Sequence, residues 1–99
     1  MGMGYAERYG WTSGYNLEEH FYEREHARVM GYRTLRQYAS AARNNINSRG
    51  TISRTVADGR TGHFNSRTNR LTITNSDGRI ITFYEPTRGW AYFDERFPL

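Results

Sequence analysis

Apolar and polar positions change rhythm twice along this 99-residue chain. Residues 1–14 carry four glycines and no apolar period, which predicts a loosely held lead segment rather than a regular element. From Tyr15 to Met30 good helix formers take over, with Asn16 placed as an N-cap and Glu18 and Glu19 in the first turn, where the helix dipole favours negative charge. This first helix should end near Gly31. At about 100° per residue, Tyr22, His26, Val29 and Met30 fall on one stripe, while His20, Arg24 and Arg28 form a neighbouring polar row. The two helical histidines are therefore expected to point in different directions. Thr34 and Gln37 have the spacing of a capping box, and Leu35, Tyr38, Ala39, Ala42 and Ile46 then recur at helical intervals, which predicts a second helix from Leu35 to Asn47.

After Gly50 the period falls to two and β-branched residues appear, predicting strands at Thr51–Ala57, Gly62–Asn65, Arg70–Thr74 and Arg79–Tyr84. Asp58-Gly59 and Asn75-Ser76-Asp77-Gly78 supply hairpin turns. Pro86 has no amide hydrogen for the ladder, and Trp90–Phe93 is expected to add a final edge strand. Alternation assigns Leu71, Ile73, Ile81 and Phe83 to one face, packed on the helices, and Thr72, Thr74, Thr82 and Tyr84 to the other. The class read from these patterns is α+β: two N-terminal helices packed on one face of a four- to five-stranded antiparallel sheet. A chain this short is expected to form one domain over residues 1–99, with a helical part at 15–49 and the sheet at 51–95.

Composition narrows the functional classes. There is no cysteine, hence no disulfide framework and no thiolate metal site. No apolar run approaches the length of a membrane span. The charge balance is 14 basic against 10 acidic residues, net +4 with a pI near 9.8, and every basic residue is arginine. Guanidinium grips phosphate with a planar fork and stacks on bases, and eight tyrosines add aromatic faces, so the surface suits RNA. Genome composition is an alternative source of the arginine bias, and most aromatics in a small core are packing.

His26, on the apolar stripe between Arg24 and Arg28, is the sharpest candidate for chemistry, because burial and nearby cations leave a neutral imidazole available as a base. His20, on the row with Arg24, is an alternative, and His63 falls on a strand. The histidines lack the i, i+4 spacing of a helical metal pair, so no metal or other cofactor is called for. There is no nucleophile elbow and no phosphate-cradling glycine loop. His, Arg, Thr and Tyr remain, which suffice for metal-free RNA cleavage by the 2′-hydroxyl.

The segment Leu17–Ala42, with its His20-Phe21 pair, the run His26-Ala-Arg-Val-Met-Gly31 and then Tyr-Arg-Thr-Leu-Arg-Gln-Tyr-Ala-Ser-Ala-Ala, resembles the helical part of bacterial and phage toxin domains of the barnase/EndoU/colicin/RelE superfamily. Asn69–Pro86 is similar to the two-strand segment of those domains that ends in Thr-Phe-aromatic-x-Pro. The resemblance covers roughly residues 17–95 and implies a metal-independent endoribonuclease, often directed at tRNA and neutralised by a dedicated immunity protein. It implies a catalytic group of His26, Arg24, Thr82 and Tyr84. Family members read His-Phe-x-(Lys/Arg)-His-Gly, whereas this chain has two more residues between the histidines and Ala27 for the glycine, so His20 also stays in the set. Arg28, Arg67, Arg70 and Arg79 are the expected RNA-binding residues. The expected partners are RNA, tRNA foremost, and an acidic immunity protein. The expected setting is a delivered effector domain acting in a target-cell cytoplasm, or a cytoplasmic one if phage-encoded. Two other classes stay open: a non-catalytic RNA-binding module, and a structural or inhibitor-like interaction protein.

Overall fold

In the computed structural model, which describes residues 5–99, the helical part is a chain of short segments instead of one long helix. They are α1 (Tyr5–Arg8), α2 (Gly14–Glu18), a π-helical turn (Glu19–Glu23) and α3 (His26–Val29), followed by the regular α4 (Leu35–Ile46). Then come β1 (Ile52–Thr55), β2 (Thr61–Asn65), β3 (Arg70–Thr74), β4 (Ile80–Tyr84) and α5 (Trp90–Arg96). The strands form one antiparallel sheet in the order β1-β2-β3-β4, so the fold is α+β as the pattern implies.

The lead segment is more ordered than its glycines suggest. Residues 1–4 lie outside the described part, but α1 is helical and Trp11 is fully buried, its indole N–H donating to the Ala39 carbonyl at 3.3 Å. Trp11 also forms a parallel bridge to Ile80, and Arg79 donates to the carbonyls of Glu7 and Trp11, so this segment is tied to the sheet edge. The N-cap of α2 is Ser13, whose hydroxyl accepts from the Asn16 amide at 3.1 Å; Asn16 instead spends its side-chain amide on the Ile81 carbonyl. The stripe expected from Tyr22 and Val29 is not buried: they are 66% and 70% exposed, and Leu17 and Ala27 are the buried residues of these segments. At α4 local chemistry prevails, with both halves of the Thr34–Gln37 capping box in place and Tyr38, Ala39 and Ala42 buried.

Register decides what the sheet faces carry. Ile73 pairs with Thr82 and Leu71 with Tyr84, so Thr82 and Tyr84 share a face with Leu71 and Ile73, not with Thr72 and Thr74. A bulge beside Ile73 and Thr74 shifts the parity of β4, which sends Ile80 and Phe83 to the opposite face. There they join Trp11, Leu17, Tyr38, Ala39 and Ala42 in the helical core. Asn45 fastens α4 to this face by donating to the carbonyls of His63 and Arg70 and to the Thr72 hydroxyl.

Trp90–Phe93 is helix, not an edge strand. The spacing of Trp90, Phe93 and Phe97 is helical, and Phe93 and Phe97 cover Phe64, Leu71 and Ile73 on the face away from α4. The sheet is thus sandwiched, with the N-terminal helices on one side and α5 on the other. Gly62 permits the close approach: a Cβ there would sit 2.6–2.8 Å from the Phe97 ring.

Candidate active site

His20 comes from the π-helical turn, which is wider than an α-turn and holds one extra residue per turn. In an unbroken α-helix, side chains six positions apart differ by about 240° and about 9 Å of rise, so His20 and His26 would never meet. Here the π turn ends at Arg24, and Glu25 takes a left-handed conformation (φ 56°) that restarts the chain as α3. His26, the first residue of α3, is swung back. The two imidazoles stack with centroids 5.4 Å apart and 24° between planes.

The edge strand β4 completes the group. Side chains two apart on a strand share a face, so Thr82 and Tyr84 both face the histidines. Thr82 Oγ1 lies 3.1 Å from His20 Nδ1, the hydroxyl accepting when Nδ1 is protonated and donating when the proton sits on Nε2. The Tyr84 ring packs on His26 at 5.1 Å between centroids. Sequence reading missed two further members, both from α5: Tyr92, whose hydroxyl is 2.5 Å from that of Tyr84, and Arg96, whose Nε donates to the Tyr92 hydroxyl at 3.2 Å. The helical spacing of Trp90, Phe93 and Phe97 was the signal that could have placed them.

The electrostatics follow from partial burial and from crowding of like charge. His26 is lowered to about 4, first by desolvation and then by the neighbouring His20 and Arg24. Its Nδ1 is buried with no hydrogen-bond partner, which explains the dominance of desolvation. His20 is also lowered, by burial and then Arg24, against a smaller raising effect of Glu19. Tyr84 is held protonated well above its ordinary range by burial and by the Tyr92 contact. Near neutrality the group therefore presents neutral imidazoles beside the protonated Tyr84 phenol and two guanidiniums, those of Arg24 and Arg96. Arg24 is exposed and has no carboxylate partner among the described residues.

The structure brings His20, His26, Thr82, Tyr84 and Arg24 together and separates the four expected RNA-binding arginines. Arg28 pairs with Glu25 at 3.3 Å, its side chain 81% exposed. Arg79 is engaged by the carbonyls of Glu7 and Trp11. Arg70 pairs with Glu85 and reaches the Met30 carbonyl at 3.5 Å, and with Arg67 it lines a separate hollow beyond the end of α3. His63 sits between the hydroxyls of Ser53 and Thr74 at 2.6 and 3.0 Å. Among the described residues no group of three or more His, Asp or Glu is gathered as a metal site, and no helix is long and apolar enough to cross a membrane.

No family model matches the sequence, and no curated protein matches it. Among solved structures, the chain is similar to a ribonuclease from Escherichia coli in complex with its inhibitor protein, with a TM-score of 0.61 over 79% of this chain and 95% of that one, at 17% identity. At that identity the likeness is one of fold: this α+β chain shares its architecture with a bacterial ribonuclease.

Proposed function

We propose that the protein is a metal-independent endoribonuclease whose active site is the cluster of His20, His26, Thr82, Tyr84 and Arg24. The observation that carries this reading is the stacked histidine pair seated against the edge strand. In the proposed reaction His26 removes the proton of a 2′-hydroxyl, the freed oxygen attacks the adjacent phosphorus, and the P–O5′ bond breaks. His20, the imidazole that burial and its neighbours lower less steeply, supplies the proton to the leaving 5′ oxygen. The products are a 2′,3′-cyclic phosphate and a 5′-hydroxyl end. Arg24 stabilises the charge that develops on the phosphorane, Thr82 sets the tautomer and orientation of His20, and Tyr84 holds the ring of His26 and offers a protonated hydroxyl. The shared fold with a bacterial ribonuclease supports the assignment. So does the resemblance of Leu17–Ala42 and Asn69–Pro86 to toxin domains.

Within this reading tRNA is the substrate we favour, and the protein acts as a delivered toxin domain in a target cell. The similar ribonuclease was solved with its inhibitor, and an acidic immunity protein is the corresponding partner here, since complementary charge speeds capture of a net +4 toxin. A small acidic reading frame directly downstream of the gene is the expected genetic mark.

The test is incubation of the purified protein with total tRNA in EDTA. Cyclic-phosphate fragments are expected, with cleavage abolished in His26→Ala and weakened in Thr82→Ala while both variants keep the wild-type circular dichroism. Intact RNA at high protein concentration, with binding retained, would sink the enzyme and leave a non-catalytic RNA-binding module. Full activity in folded His26→Ala would remove His26 from the reaction.

A further inference from the structure

A hollow of about 630 Å³ opens between the end of α4, the loop that follows it and the β2–β3 turn, apart from the histidine cluster. Three guanidinium groups line it, those of Arg49, Arg67 and Arg70, together with Asn44, Asn65 and Tyr32, and no carboxylate belongs to its lining. Arg70 is partly neutralised by Glu85, but Arg49 and Arg67 have no ion pair among the described residues. Cations gathered without a counter-charge repel one another, and a bound anion reverses that cost.

The frame of the hollow is built, not incidental. Asn65, only 3% exposed, accepts from the Arg67 amide at 3.0 Å through Oδ1. Its Nδ2 donates to the Arg49 carbonyl and the Thr51 hydroxyl, each at 3.1 Å. One buried side chain thus sets the backbone from which both free arginines project. The Arg67 stem lies against the loop at Gly50, its Cδ 3.5 Å from where a Cβ would stand on a backbone with φ 91°. Tyr32 adds a half-buried ring with the Arg70 guanidinium 6.0 Å from its centroid. Arginine, side-chain amide and aromatic ring together are what a phosphate-bearing nucleotide is recognised by.

Arg70 connects this hollow to the histidines. Its guanidinium reaches Met30, the residue that caps the helix bearing His26, and its chain neighbour Leu71 pairs across the sheet with Tyr84. We infer that the hollow is a second subsite for the RNA strand, holding a phosphate and base away from the scissile bond while the His20–His26 pair acts on that bond. This rests on the ribonuclease reading for what occupies the other subsite. It adds Arg49, Asn44 and Tyr32 to the RNA-binding residues and makes the substrate a strand several nucleotides long.

The test uses the whole protein and a short 2′-O-methyl oligoribonucleotide, which cannot be cleaved, with adenosine 5′-monophosphate, inorganic phosphate and polyglutamate as comparison probes. Arg49→Gln/Arg67→Gln should bind the oligonucleotide at least about tenfold more weakly. Its slope of log K against log salt should be shallower by about 1.4, two phosphate contacts at about 0.7 each. Arg60→Gln/Arg88→Gln, with the same change in net charge, should bind within about twofold of wild type. In the wild type, the amide resonances of Ser48 and Thr68 should shift on titration with the oligonucleotide. Equal binding by the two double variants, or resonances that do not move, overturns the proposal. Monophosphate or inorganic phosphate binding as tightly as the oligonucleotide would make the hollow a free-nucleotide or phosphate site. Polyglutamate binding with the same arginine dependence would make it a docking point for an acidic protein, and either result overturns the strand subsite. If these binding results hold while tRNA stays uncut by the wild type, the subsite stands and only the catalytic reading falls.

Discussion

His20 stacks on His26 although the two are six residues apart in a helical segment, because a π turn and a left-handed Glu25 intervene. Stacking couples their protonation: a charge on either ring opposes a charge on the other, so the pair carries one proton over the interval between its two macroscopic pKa values. That is the state a base and an acid need simultaneously.

The pH dependence follows in sign from this coupling. His26 is held at about 4 and His20 below the ordinary 6.5, so kcat/KM of the free enzyme should be greatest on the acid side of neutrality. It should fall below pH 4, where the base is lost, and fall again on approaching neutrality, where the acid is lost. Rates measured on a defined oligoribonucleotide from pH 3 to 9 check this, and a profile still rising above pH 7 contradicts the assigned roles. Stability has a matching signature. The unfolded chain binds a proton at His26 near 6.5, but the folded chain resists it until about 4, so stability is lost as pH falls through that window. The loss should be smaller in His26→Asn, as seen in the difference between urea midpoints of the two proteins at pH 7 and pH 4.5.

Glu25 should tolerate glycine better than any β-branched residue. At φ 56° an L side chain is strained by roughly 1–2 kcal/mol, and the ion pair it makes with Arg28 is exposed and worth little. Glu25→Gly is expected to keep activity, with a melting temperature equal to wild type or higher. Glu25→Val should lower both, because relief of its strain requires rotating α3 and parting the histidines. Thermal melts and tRNA cleavage on the two variants decide this.

Gly62→Ala should destabilise the protein by displacing α5. The added methyl would lie 2.6–2.8 Å from the Phe97 ring, forcing the end of α5 away from the sheet at a cost of about 1–3 kcal/mol. Denaturant unfolding measures the loss. A companion Phe97→Leu should recover part of it if the ring is the obstacle.

What the sequence determined by itself is what local chemistry governs. The Thr34–Gln37 capping box, the bounds of β3, the positive-φ turn glycines 59 and 78 and the four-stranded antiparallel ladder could be read directly, because each depends on neighbours within a few residues. His20, His26, Thr82, Tyr84 and Arg24 could be named from residue type and resemblance, but their arrangement could not be read. Periodicity extrapolated an unbroken helix and sent the histidines to different faces. One extra residue in a π turn and one left-handed residue reversed that result, and Trp11 of the lead segment lies beside that turn, its ring centroid 6.3 Å from that of His20. Likewise a single bulge in β4 decided that Thr82 and Tyr84, not Phe83, face the histidines. Side-chain direction accumulates along a chain, so a one-residue irregularity that costs little locally turns everything after it, and only tertiary contacts select whether it occurs.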